Sequence, residues 1–455
     1  MKTKWIRSAK QAMVLLLAVV LVLAGCAQSN NDNNNGGGEN QSAVGNPSEG
    51  TNNGGSDNAK PYDGVEINVG VEAGGPAPEF FKTIINEFTE QTGIKVNIID
   101  VPGLKMHDTF VTESIAGTGG FDVFNLDQPW IPEFAEKGFL VPLNDYVDEA
   151  DLDDFYPVAI DSVTYKGSIY GLPYLVHTPV VYYRTDLFEK AGITEPAKTV
   201  EQYREYAKKL TDPTNGIYGT IIEGQQSPEP ATQFTDWVLQ HGGKLLDENN
   251  KVKVDSPEVL QTFKTLLAMQ YEDKSSPPGA VNYNNADVQQ QFMQGKVAMV
   301  RNWPYMYAMA QDPAQSKVAG KFAIALQPVT SAVWSWGFGI SKDSKNKDAA
   351  FEFVKWASSS DVVTRFVKQV TNPVPRKSSM EAIKADPNIP EETKNAILMM
   401  TENMIQGTSV ALNPAYDSFR NRVAVMLSKI MTKQSTPEEE IKAAAADLQK
   451  IADGE

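Results

Sequence analysis

Between Val65 and Gly138 the chain alternates between two periods. Val65–Glu72 (VEINVGVE), Ile94–Val101 and Phe121–Leu126 (FDVFNL) are β-branched and aromatic runs of strand length. Glu79–Thr92, His107–Ala116 and Ile131–Lys137 carry apolar residues at helical spacing, and Gly93 and Gly138 stand where two of those helices must stop. Strand, helix, strand, helix in this order predicts a parallel sheet with helices on both faces, an α/β fold. A second unit follows, with helices at Val200–Leu210, Phe234–His241 and Pro257–Tyr271 and a strand at Gly216–Ile222. After Phe292–Arg301, Phe322–Leu326 and Trp336–Ser341 comes a helical tail from Asp348 to the end. No internal repeat is visible.

Between these units lies GLPYLVHTPVVYYRTDLFEKAGI, Gly171 to Ile193. It begins as a buried strand and ends as a short helix stopped by Gly192. His177, Thr178 and Pro179 interrupt the strand. Proline lacks an N–H and is poorly tolerated in a central strand, so a bulge or a crossing between two domains is expected here. Residues 61–455 are too many for one ordinary core, which also favours two domains.

The N-terminus reads as a processing segment. Lys2, Lys4, Arg7 and Lys10 precede an apolar run, Met13–Leu23, that is too short to remain as a membrane span. Leu23-Ala24-Gly25-Cys26 follows, a lipobox pattern that makes residues 1–25 a lipoprotein signal peptide and Cys26 the lipidated residue. Cys26 is the only cysteine, so a lipid there leaves no disulfide, thiolate zinc site or thiol nucleophile. Residues 27–60 are dominated by Asn, Gly and Ser, a composition that cannot offset its ordering entropy by burial. Residues 26–60 are thus expected to be a lipidated tether spanning about 30 Å root-mean-square. Removing the four basic leader residues takes the formal charge from −16 to −20. Such acidity disfavours nucleic acid and anionic lipid as partners.

Motifs of catalysis are absent. The three histidines, His107, His177 and His241, lack zinc spacing, and there is no nucleophile elbow or P-loop. Asp247, Asn249 and Glu258 fall on calcium-loop positions, but Lys251 and Val252 occupy positions that need an oxygen ligand and a glycine, so a turn is expected. The acidic runs Asp151–Asp154 and Glu438–Glu440 read as solvated faces. Tryptophan is the positive signal. Trp237 and Trp356 stand on amphipathic helices and read as core. Trp130, Trp303, Trp334 and Trp336 stand beside Pro, Asn, Ser and Gly, as ligand platforms at strand ends do.

Several segments resemble the extracellular solute-binding proteins of ABC importers, in the branch that includes maltose-binding protein. These are Gly171-Leu172-Pro173 with Tyr182–Gly192, in which Arg184 replaces the usual Asn; Gly242–Leu245 with Asp255–Glu258; Phe292–Met299; and Gly339–Lys342 followed by Ala349–Val354. The resemblance implies a two-lobed periplasmic-binding-protein-like fold, each lobe a sheet flanked by helices, joined by a multi-strand hinge. It divides the chain into lobe 1 (61–176 and 327–372) and lobe 2 (177–326 and 373–455). The strand around Pro179 then crosses between lobes, with His177 and Thr178 on the floor of a cleft. The implied ligand-binding residues are Glu72, Asp127, Trp130, His177, Thr178, Glu223, Trp303, Trp336 and Tyr416, with no cofactor, metal or catalytic residue.

The function these readings imply is capture of a carbohydrate, an oligosaccharide above all, and delivery to the permease subunits of an ABC importer. The protein is expected to be a non-enzymatic monomer, lipid-anchored on the extracytoplasmic face of a Gram-positive cell membrane. A surface glycosidase is the alternative from another class, although no carboxylate pair is singled out for it. A binder of peptide, amino acid or metal is the third.

Overall fold

The structure is a computed structural model and describes residues 60–454 apart from Ala411. The leader, Cys26 and the tether up to residue 59 lie outside the described residues. Eleven strands are formed among the described residues: β1 (Glu66–Glu72), β2 (Lys95–Val101), β3 (Val123–Asp127), β4 (Thr164–Tyr165), β5 (Ser168–Ile169), β6 (Leu172–His177), β7 (Val180–Arg184), β8 (Met299–Asn302), β9 (Phe322–Ala325), β10 (Ala332–Ile340) and β11 (Thr408–Ser409).

The predicted alternation at the start holds. β1 pairs in parallel with β2 on one side and β3 on the other. The connecting helix Pro76–Thr92 has Pro at its first position and Gly93 at its C-cap with φ 85°, which a side chain would strain. Phe80, Phe81, Ile84 and Phe88 form its buried stripe. Phe81 packs edge-on against Tyr174 and Phe338, so its truncation to Ala should cost about 3–5 kcal/mol.

The sheet is not purely parallel. β10 enters it antiparallel to both β3 and β6 and pairs in parallel with β11. Its direction follows from where it starts. Ala332 and Trp334 belong to one hydrophobic cluster, with Phe234, Phe263 and Phe419, whereas Phe338 and Ile340 belong to another, with Ile67, Phe81 and Phe353. β10 therefore runs from the second core into the first.

β6 and β7 make the same passage in the other direction. β6 pairs with β10, and β7 is the central strand of a separate antiparallel sheet with β8 and β9. Thr178 and Pro179 lie between the two ladders. No ladder N–H is missing at Pro179, which accounts for its place in an otherwise strand-like run. Residues beyond 372 stay with the first core for a time: Met380, Ile383, Ile389 and Ile397 pack there, and residues from Tyr416 onward pack in the second.

Some local readings change. Gly216–Ile222 forms no strand, only isolated bridges of Ile217 to Asp212 and Tyr218 to Val297. Gly219 lies against the Ala207 backbone with no room for a Cβ, so the segment is shaped by the helix Val200–Leu210 beneath it. The helix from Pro257 ends at Leu267 and continues as a π-type turn, Ala268–Glu272. Trp334 and Trp336 sit inside β10 rather than before it. The tail is six helices interrupted by β11. The turn read at Asp247 is present: its carboxylate accepts the N–H groups of Asn249 and Lys251 at 2.9 and 3.0 Å. No helix among the described residues is long and apolar enough to cross a membrane.

Candidate functional site

A cavity of about 370 Å³ lies where the two cores meet. Glu72 at the end of β1, Asp127 at the end of β3, and His177 at the end of β6 reach it from the first sheet. Trp130 reaches it from the short 3-10 turn Gln128–Trp130 and Trp336 from β10, where it sits opposite Asp127 in the ladder. Trp303, directly after β8, closes the wall from the other sheet. Strand ends at such a junction are where ligands of open α/β sheets lie. These six of the nine sequence-predicted residues thus share one cavity.

The other three do not line it. Thr178 is fully buried, and its hydroxyl accepts a 2.7 Å hydrogen bond from Asn403 Nδ2, a tie across the crossing. Glu223 faces a separate small cavity beside Arg301 and Gln233. Tyr416 is buried against Phe419 and Trp334. Its helix, Tyr416–Met431, does serve the cavity, but through Asp417, Arg420 and Asn421, the i, i+3, i+4 face that sequence reading passed over. Glu229, in the first turn of the helix Pro228–Gln240, was also missed, as were His107 and Tyr305.

The aromatic wall is tightly built. Trp130 and Trp336 meet edge to face at 5.9 Å, and the His177 ring stacks on Trp303 at 4.5 Å. Burial holds the His177 imidazole neutral, with its pKa pulled down to about 3. His177 Nδ1, Trp130 Nε1, Trp334 Nε1 and Glu229 Oε2 are buried without a hydrogen-bond partner among the described residues. A buried polar atom left unpaired costs about 1–3 kcal/mol, which favours an occupant able to pair with it.

The charges are mostly acidic. Asp127 accepts from Arg420 Nη1 at 3.1 Å, and Arg420 Nη2 donates to Asp417 at 2.8 Å. Burial outweighs the Arg420 pairing and raises the Asp127 pKa to about 6, with Asp417 and Glu229 adding to the rise. Glu72 rises to about 7 through burial, then Asp127 and Glu229. Gly103 lies directly against its Oε1, leaving no space for a Cβ. His107 pairs with Glu133 at 2.7 Å and Asp108 at 3.1 Å. Burial opposes its charge, but Glu133 and then Asp417 and Asp108 outweigh burial, and its pKa rises. Such a cavity offers flat apolar faces, a rim of carboxyl groups that can accept or donate, and indole N–H donors. No group of three His, Cys, Asp or Glu among the described residues is placed to hold a metal.

Residues 74–364, well over half of the chain, match the family described as bacterial extracellular solute-binding protein. The chain is 28% identical to an ABC transporter solute-binding protein from Agrobacterium radiobacter K84 solved with ribitol, covering 86% of this chain and 100% of that one with a TM-score of 0.78. It is 29% identical to maltose-bound MalE3 of T. maritima, covering 85% of this chain and 99% of that one with a TM-score of 0.77. The mannitol-binding protein of Pseudomonas aeruginosa is 30% identical over 55% of this chain and 59% of its own. The two-lobed α/β fold of these structures is the fold of this chain. By sequence and by fold, this chain belongs to the bacterial extracellular solute-binding proteins.

Proposed function

We propose that the protein captures a carbohydrate, an oligosaccharide in particular, in the cavity between its two cores and hands it to the permease of an ABC importer. The observation that carries this reading is the joint wall of Trp130, Trp303 and Trp336 with the carboxyl groups of Glu72 and Asp127. Sugar rings present C–H faces that stack on indole and hydroxyls that pair with carboxylates. The ribitol, maltose and mannitol named for its relatives support the same chemistry. Binding is proposed to occur without turnover. The protein acts as a monomer held at the extracytoplasmic face of the membrane by a lipid on Cys26, with residues 27–60 as tether. Thermal melts against a panel of mono- and oligosaccharides and polyols test the proposal. A true ligand at 100 times its dissociation constant should add about 2.7 kcal/mol of stability. A panel in which only peptides or amino acids shift the melt would refute it, and cleavage of the bound sugar would point to the glycosidase.

A further inference from the structure

The cavity holds more negative charge than it neutralises. Five carboxyl side chains line it: Glu72, Asp108, Asp127, Glu229 and Asp417. Of the three basic side chains that line it, His177 is held neutral by burial and the other two are committed. Arg420 is shared between Asp127 and Asp417, and His107 is held between Glu133 and Asp108. Glu72 and Glu229 remain. Neither makes an ion pair or a side-chain hydrogen bond to the described residues, and Glu229 Oε2 is fully shielded from solvent. Glu72 comes from the first sheet and Glu229 from a helix of the second core, so the two carboxyls approach the cavity from opposite sides. Glu72 lies against Gly103 in the first turn of the helix Gly103–Ala116, and Glu229 stands in the first turn of the helix Pro228–Gln240, so each carboxyl receives only the fractional positive charge of a helix N-terminus and no full cation. A shielded acid without a partner is costly unless the occupant supplies donors to it, and an ammonium group pairs with a carboxylate more strongly than a neutral hydroxyl does. The tryptophan faces strengthen the case, because indole attracts cations as well as sugar rings.

We infer that the solute is a cationic carbohydrate, an amino sugar or an oligosaccharide containing one, whose ammonium group lies between Glu72 and Glu229. This rests on the carbohydrate reading and narrows it. Burial and mutual repulsion push Glu72 toward the protonated form in the unliganded cavity, and a bound ammonium reverses that bias.

The test is calorimetric titration at neutral pH with matched pairs: glucosamine and galactosamine, their oligomers and aminoglycosides, each against the hydroxyl or N-acetyl counterpart. Choline and lysine serve as cations that are not sugars. The best amine should bind at least about tenfold tighter than its neutral counterpart, as close charge pairs in an enclosed site do. Glu72→Gln and Glu229→Gln should each pull that ratio toward one, with folding checked by melting. A neutral sugar that binds tighter than every amine overturns the inference and leaves the carbohydrate reading standing. Binding of choline or lysine with no sugar of either kind overturns both.

Discussion

The rings of His177 and Trp303 stack with centroids 4.5 Å apart and planes 17° apart. One ends the strand that leaves the first sheet, and the other follows a strand of the second. The pair therefore ties the crossing to the cavity wall. Trp303 is only 9% exposed and packs in the second core while facing the cavity. Trp303→Ala should lose about 3 kcal/mol of stability, the lower end for a buried tryptophan, and weaken ligand binding about thirtyfold. Melting curves and titration on one preparation check both numbers. A variant that melts lower yet binds normally would remove Trp303 from the site.

The buried acids invert the usual pH dependence. Glu72 has a folded pKa near 7 against an ordinary 4.5, so the folded state binds the proton more tightly than the unfolded chain. Its contribution favours folding below 4.5 and is lost as pH rises through 7. Glu72→Gln should stabilise the protein on the order of 2 kcal/mol at about pH 8 and much less at about pH 5. His177 works the other way: its folded pKa is near 3 against 6.5, so its contribution is present above 6.5 and lost as pH falls toward 3. Glu72→Gln and His177→Gln should thus flatten opposite limbs of the melting profile.

Arg420 bridges Asp127 and Asp417, and Asp127 lies 293 residues away in the chain. Arg420→Met leaves two buried acids without their cation, a loss of about 3–5 kcal/mol. The loss should shrink in mildly acidic buffer, because Asp127 already titrates near 6 and takes up a proton readily. Urea unfolding at two pH values measures the difference. Equal losses at both would mean that Arg420 acts through packing alone.

Gly103 has no strained φ, so alanine is tolerated by the backbone there, but its Cβ collides with the Glu72 carboxyl. Gly103→Ala should change stability by less than about 1 kcal/mol, since a flexible side chain can move aside. Affinity should fall by roughly tenfold because the carboxyl leaves its position. Unaltered affinity would show that Glu72 does not touch the ligand.

Membrane attachment depends on Cys26 alone in this reading. Cys26→Ser should move the protein from the membrane fraction to the soluble fraction, since the chain has no second cysteine to carry a lipid. Persistence in washed membranes of a variant shown to have lost residues 1–25 would exclude the lipid anchor.

What the sequence determined by itself is local and periodic. The alternation from Val65 to Gly138 sets β1, β2 and β3 in parallel, because period and helix stops act over a few residues. Pro179 marked the passage from one sheet to the other, because a missing N–H is a property of the residue itself. The family resemblance, carried over at strand ends, pointed to Glu72, Asp127, His177 and Trp303. Tertiary structure decided which neighbour faces the cavity. It turned His177 in and Thr178 away, brought Glu229 to the wall instead of Glu223, and set Asp417 and Arg420 there in place of Tyr416. It also ran β10 antiparallel into a sheet whose other pattern is parallel. These choices depend on packing between segments hundreds of residues apart, and no local period encodes which face of a helix or loop such a partner will cover.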